Sequence, residues 1–185
     1  MAEQVNGYRP LLAQDYDTYD HWRNYALTHG VNVDWSYGNQ CWDICALLWN
    51  QYSLRLETGN GYAYGCWVYR RDQNARVPFT KVEHVRDIKR GDCLVFAPSG
   101  LNYTGHICFA DADFSSVNSM PCLGQNQGQG TRWGTPSNIV NMSLRNFLGG
   151  FRNSNWKSEE PVHYEEVSKD AFPWVLYARK FRKRK

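Results

Sequence analysis

The stretch from Cys41 to Tyr52 reads as a helix buried along one side, and the chain after it changes to a different period altogether. Ile44, Cys45, Leu48, Trp49 and Tyr52 recur at helical spacing. Further on, "GDCLVFA", "GHICFADA", "SMPCLGQN" and "SNIVNMSL" read as short strands separated by Gly, Pro, Ser and Asn. A helix followed by several strands at hairpin-like spacing specifies an α+β fold, the helix packed on an antiparallel sheet. Upstream, Thr18 to His29 reads as a further helix, with Thr18 as its cap and Gly30 as its stop, and the polar loop "GVNVDWSYGNQ" follows. The stretch "RRDQNARVPF" reads as a surface loop, and no internal repeat is visible.

At 185 residues with 42% apolar content the chain can bury a core without disulfides. Its six cysteines lack C-x-x-C pairs, so they read as reduced thiols, not as a zinc ribbon or a disulfide scaffold. Eight Trp and twelve Tyr exceed what such a core needs, and with 15 Gly they suggest an aromatic-lined, loop-rich groove of the kind that binds carbohydrate or peptide. The opening "MAEQVNGYRPLL" lacks the basic start and apolar run of a secretory signal, and no stretch is long and apolar enough to span a bilayer. The expectation is a chain made and kept in a cytoplasm unless something else exports it. Net charge is +3, with six basic residues in the terminal "RKFRKRK", a run that reads first as a solvated tail and second as a contact for an anionic partner.

A thiol at a helix start has a chemical use. Unpaired backbone N–H groups and the positive end of the macrodipole both stabilise thiolate there, which makes Cys41 the candidate nucleophile and leaves Cys45, one turn on, as core. Among the histidines, His106 in "TGHICFADA" is the candidate base, because a Gly precedes it and a strand pattern follows. His21, His29, His84 and His163 lie in helical, charged or acidic surroundings. Asn126, in "LGQNQGQG", is the candidate that orients the imidazole. The order Cys, His, Asn is the papain-like arrangement.

The blocks "YGNQCWDICALLW", "DIKRGDCLVFAPSG", "TGHICFADAD", "LGQNQG" and "FLGGFRN" resemble the successive blocks of a CHAP domain, the cysteine, histidine-dependent amidohydrolase/peptidase module of phage and bacterial peptidoglycan hydrolases. The resemblance runs from about Tyr19 to Asn153. It implies a papain-like catalytic domain over residues 1–153 and an extension, 154–185, that is too short for a separate wall-binding module. It also implies Cys41 as nucleophile, His106 as general base and Asn126 as orienter. Gln40 is then a candidate oxyanion donor beside the Cys41 backbone N–H, with a plain polar loop residue as the alternative. Many phage members carry a Glu where this chain has Gly124, so that residue is either dispensable or replaced by Asp111 or Asp113.

The implied substrate is peptidoglycan, cut either at the bond joining muramic acid to L-Ala or within the stem or cross-bridge peptide. The implied setting is a phage endolysin released from the host cytoplasm to the wall, or a hydrolase carried on a virion tail. The acidic-to-basic extension would then meet anionic wall polymers or tail proteins. The loop before the nucleophile resembles the calcium loop of several phage CHAP domains: side chains of Asn32, Asp34 and Asp43 with backbone carbonyls at Ser36 and Gly38, a set of hard oxygens that suits calcium. The alternative for this loop is that Asp43 caps the helix and Asp34 is solvated. Three other readings stay open: a papain-like protease or amidase on a non-wall substrate, a non-enzymatic nucleic-acid- or wall-binding virion protein with a structural thiol, and a zinc site built on Cys41, Cys45 and His106.

Overall fold

The computed structural model describes residues 3–115, 118–128 and 136–157. Helix α1 (Tyr19–Thr28) starts where Thr18 accepts the His21 N–H, as the sequence suggests. It does not stop at a glycine. The chain passes directly into an extended strand that pairs in parallel with an N-terminal one, so β1 (Glu3–Asn6) and β2 (His29–Asn32) form a separate two-stranded sheet. Part of the expected loop is therefore strand, and its four-residue length hid it from a period-two reading.

Helix α2 (Cys41–Gln51) buries every residue from Asp43 to Trp49. It is followed by two helical turns, α3 (Gly65–Val68) and α4 (Arg71–Asn74). The second lies in the expected surface loop, and its Asn74 explains why it is anchored. That buried amide accepts the Glu57 N–H and donates to the Glu57 and Cys66 carbonyls, all at 2.8–2.9 Å.

The main sheet contains β3 (Phe79–Val82), β4 (Cys93–Phe96), β5 (His106–Ala110), β6 (Ser119–Gly124), β7 (Asn138–Ser143) and β8 (Phe147–Asn153). All neighbours are antiparallel, in the order β3-β8-β4-β5-β6-β7. The fold is α+β, with the helices on one face. Alternation sends Cys93, Val95, Ile107, Phe109 and Phe151 toward the helices, against Trp22, Ile44, Leu48 and Trp49. The opposite side chains, Leu94, Phe96, Cys108 and Ala110, are covered by Ile88, Met120 and Leu144. Both faces of β4 and β5 are buried, which is why their sequences are almost wholly apolar. The body continues past residue 153, since Trp156 packs on Tyr19 and Phe109 and Lys157 pairs with Asp17. The rest of the acidic-to-basic extension lies outside the described residues.

Trp67 of α3 packs against β8, its ring 5.5 Å from that of Phe151. A Cβ added at Gly149 would come within 2.2 Å of its indole ring. Gly149→Ala is therefore expected to destabilise the protein by about 1–3 kcal/mol through overpacking, read as a lower urea midpoint at unchanged slope.

Candidate functional site

Cys41 is the first residue of α2, preceded by Gln40 in extended conformation as the N-cap. The helix start is closed by Asp43, whose carboxylate accepts the Gln40 N–H at 2.7 Å while its own N–H goes to the Gln40 carbonyl at 3.1 Å. The Cys41 thiol is half-buried, whereas the other five cysteines are fully buried, and all six are free. It lies against the His106 imidazole and the backbone N–H of Ile107, both of which act on its ionisation. Helix α2 and strand β5 thus deliver the two candidate residues to one point.

His106 is the first residue of β5 and is buried. Gly105 before it has φ +67°, and a Cβ there would fall 2.5 Å from the Phe96 carbonyl and 2.7 Å from Tyr64 Cβ. Only glycine fits that approach. Nε2 of His106 lies 2.9 Å from Oε1 of Gln127. The orientation of that amide is fixed independently, because Nε2 of Gln127 donates to the Cys122 and Asn138 carbonyls, each at 2.9 Å. Its oxygen must therefore face the ring. An acceptor at that position requires a proton on His106 Nε2, which leaves Nδ1 as the atom that exchanges a proton with Cys41.

The electrostatics follow from the pairing. Burial pushes the Cys41 thiol up, but the charge and hydrogen bond of His106, with the Ile107 N–H, bring it below the ordinary thiol value. Burial likewise pushes His106 down, and Cys41 and Gln127 together raise it above the ordinary histidine value. The two shifts are one fact, a thiolate and an imidazolium stabilising each other. Cys45 has no such partner, and burial raises it well above the usual range.

Asn126 sits elsewhere in the arrangement than the sequence suggested. It has φ +49°, it is exposed, and its Nδ2 donates to Gln40 Oε1 at 2.9 Å, so the group against the imidazole is its neighbour Gln127. Gly124 explains the exchange. A Cβ at that position would lie 2.8 Å from Gln127 Oε1, so the Gln127 amide fills the space a side chain at 124 would need. Neither aspartate takes that place. Asp111 accepts from Tyr19 and Arg23, and Asp113 from the Arg90 N–H, beyond the far end of β5 from His106. The signal for Gln127 was present in "QNQ" beside a glycine, but spacing cannot say which of three amides turns inward.

Gln125 was missed for the same reason. Fully buried, it accepts the Val31 N–H at 2.7 Å and donates to the Val31 and Gln40 carbonyls at 2.9 and 3.0 Å. It pins β2 and the residue before Cys41. The Gln40 side chain donates to the Tyr37 carbonyl and accepts from Asn126. His21 pairs with Asp17, His29 stacks on Tyr25 and His84 is exposed, while His163 lies outside the described residues.

The loop at residues 33–40 wraps around Asp43. Its carboxylate accepts the Val33 N–H at 2.9 Å as well as that of Gln40, so the capping alternative is realised. Asp34 accepts the Ser36 N–H at 2.8 Å and remains exposed. Among the described residues no three His, Cys, Asp or Glu side chains gather in a way that could hold a metal, which includes Cys41, Cys45 and His106. A calcium set here has only two carboxylates and relies on amide and backbone oxygens. It fits in one respect that capping does not explain: Asn32 Oδ1 is buried and finds no hydrogen-bond partner among the described residues. Burial, reinforced by Asp34, also pushes Asp43 up to about 7 despite its backbone donors, a cost that a cation would relieve.

Comparison with solved structures finds the same fold in the crystal structure of the wild-type endolysin LysIME-EF1, with a TM-score of 0.60 and 20% sequence identity. The similarity covers 74% of this chain and 64% of that one, so this chain spans less than two thirds of the endolysin. No protein-family model and no curated protein matches the sequence.

At neutral pH iodoacetamide is expected to alkylate Cys41 far faster than the five buried cysteines, with an apparent pKa below the ordinary thiol range. His106→Ala should raise that pKa, because it removes the counter-charge while the thiol stays desolvated. Peptide mapping of the labelled sites across pH measures both.

Proposed function

We propose that this chain is a peptidoglycan hydrolase of the endolysin type that cleaves an amide bond through Cys41, His106 and Gln127. The observation that supports the reading most directly is the Cys41–His106 contact at a helix N-terminus with its imidazole held by a fixed amide oxygen. The fold shared with an endolysin and the CHAP-like order of blocks point to the wall as the substrate.

In this mechanism the Cys41 thiolate attacks the amide carbonyl carbon and forms a C–S bond. The backbone N–H of Cys41, in the first turn of the helix where no intrahelical acceptor reaches it, would serve the developing oxyanion, with Gln40 as the second candidate donor. His106 Nδ1–H protonates the nitrogen as the C–N bond breaks. The same Nδ1 then takes a proton from water, whose hydroxyl attacks the thioester, and the C–S bond breaks to release the carboxylic acid and the Cys41 thiolate beside the imidazolium. Gln127 keeps the ring in the tautomer that both steps need.

Calcium is part of the proposal. Asn32, Asp34 and Asp43 with the carbonyls of Ser36 and Gly38 would hold it, and its contribution would be to brace the loop that leads into Cys41. Among the described residues no helix is long and apolar enough to cross a membrane. Release from a host cytoplasm to the wall, or carriage on a virion, belongs to the same reading, as does contact of the basic tail with anionic wall polymers or tail proteins.

The decisive experiment is turbidity loss of Gram-positive walls with mass spectrometry of the fragments, which identifies the bond as an amidase or an endopeptidase target. Cys41→Ser and His106→Ala should each lose at least about a hundredfold in rate, and Cys45→Ala should retain it. Gln127→Ala should fall further than Asn126→Ala. Parental clearance by the Cys41 variant, or cleavage of casein in place of walls, would overturn the reading.

The pH profile follows from the pairing. Activity needs thiolate with imidazolium, so kcat/KM should rise through a pKa below the ordinary thiol value and fall through one above the ordinary histidine value. Chelation with EGTA should lower both lytic rate and Tm, calcium should restore them better than magnesium, and Asp34→Ala should mimic the chelator. A melting curve indifferent to EGTA would retire the cation and leave the catalytic reading intact.

A further inference from the structure

The wall of the site next to His106 carries a run of tyrosines that the catalytic chemistry does not use. Tyr69, Tyr64, Tyr62 and Tyr103 follow one another with ring centroids 6.1, 6.1 and 5.8 Å apart. Tyr69, Tyr62 and Tyr103 are 50%, 40% and 70% exposed, so the run is not core. It is continuous with the site, since Tyr64 abuts Gly105, its N–H bonds the Thr104 carbonyl at 3.2 Å, and His106 is the next residue.

Two properties of this surface define its ligand. The segments "TGNGYAYGCWVY" (58–69) and "APSGLNYTG" (97–105) contain no Asp, Glu, Lys or Arg, in a chain that is 21% charged. The charges at its edge, Arg70 beside Tyr69 and Glu57, pair with each other at 3.4 Å, and a surface that is otherwise phenols, hydroxyls and amides suits a neutral, polyhydroxylated, amide-bearing chain better than a polyanion. It is also held in shape before any ligand arrives. Thr58 and Asn60 accept the N–H groups of Gly61 and Tyr62 at 2.9 and 3.1 Å. A Cβ at Gly65 would fall 2.1 Å from the Thr58 carbonyl, so the turn closes only around glycine. Aromatic faces on a braced turn bind at little entropic cost.

We infer that Tyr62, Tyr64, Tyr69 and Tyr103 form a subsite for the N-acetylated glycan strand of peptidoglycan, the sugar rings stacking on the phenols while the attached peptide reaches Cys41. The inference rests on the wall-hydrolase reading and adds to it the part of the substrate that is recognised away from the scissile bond. Three successive ring-to-ring steps give room for more than one sugar, so affinity should grow with oligosaccharide length.

The test separates binding from catalysis. Full-length Cys41→Ala protein is titrated with N-acetylated chito-oligosaccharides of increasing length and, separately, with peptide-free glycan strands and with glycan-free stem peptide. Binding of the glycans that tightens with length, and that weakens about tenfold in Tyr62→Ala and Tyr103→Ala, is the expected result. Tyr62→Phe should preserve it, since the ring face remains. On intact walls the same alanine substitutions in the active protein should raise KM, and Leu12→Ala, exposed on a different part of the chain, should not alter glycan affinity. Glycan affinity unchanged by the tyrosine substitutions, or binding of the stem peptide alone, would overturn the inference while leaving wall hydrolysis as its own result. Loss of wall hydrolysis in the parent protein would instead count against the proposed function.

Discussion

The geometry of the site depends on three consecutive amides that tie the helix start to the sheet. Gln125 grips β2 and the Gln40 carbonyl, Asn126 reaches the Gln40 side chain, and Gln127 holds His106 while anchored to the carbonyls of Cys122 and Asn138. The Cys41 thiol and the His106 imidazole come from residues 65 apart in the chain, on different elements. Nothing local fixes their separation. The strip after β6 does, because each of its amides bridges to one side or the other. Two of the three are buried and saturated with hydrogen bonds, so displacing either would leave unpaired polar atoms in the interior, a cost larger than the bond itself is worth. That asymmetry is what makes the strip rigid.

The burial beneath the site has the same logic. Helix α2 is clad on one side by Trp49 stacked on Phe79 at 3.7 Å and edged by Phe151, and its other end is closed by Asp43. A helix held along its length by apolar contacts and at its start by a carboxylate cannot fray where Cys41 sits. The field at the first turn is therefore a fixed property of the fold.

Much of this could be read from the residues alone. The period of Ile44, Cys45, Leu48 and Trp49 gives α2, the apolar runs around Cys93 and Cys108 give β4 and β5, and the glycine before His106 marks its approach. The strands β1, β2, β3 and β8 were not legible as strands. The first three are four residues each, and β8 carries two adjacent glycines, one of them cleared for the Trp67 ring. Reading the orienter required knowing which of Gln125, Asn126 and Gln127 points inward. Asn126 is turned out by its left-handed backbone conformation, and the space at Gly124 is claimed by Gln127, neither of which has a sequence period.

The choice of a neutral amide against His106 has a consequence for the proposed reaction. A carboxylate there would stabilise the imidazolium throughout the cycle, whereas the Gln127 oxygen offers only a hydrogen bond, so the charge that raises His106 comes first from Cys41. When the thiolate becomes a thioester that charge disappears, and burial, which on its own pushes the imidazole down, is no longer opposed by it. The proton is then least welcome on the ring at the step where the amine must receive it. Re-formation of the thiolate during hydrolysis restores the counter-charge and with it the resting ion pair. In this site the nucleophile sets the acidity of its own partner, and a fixed, uncharged amide is what allows it to do so.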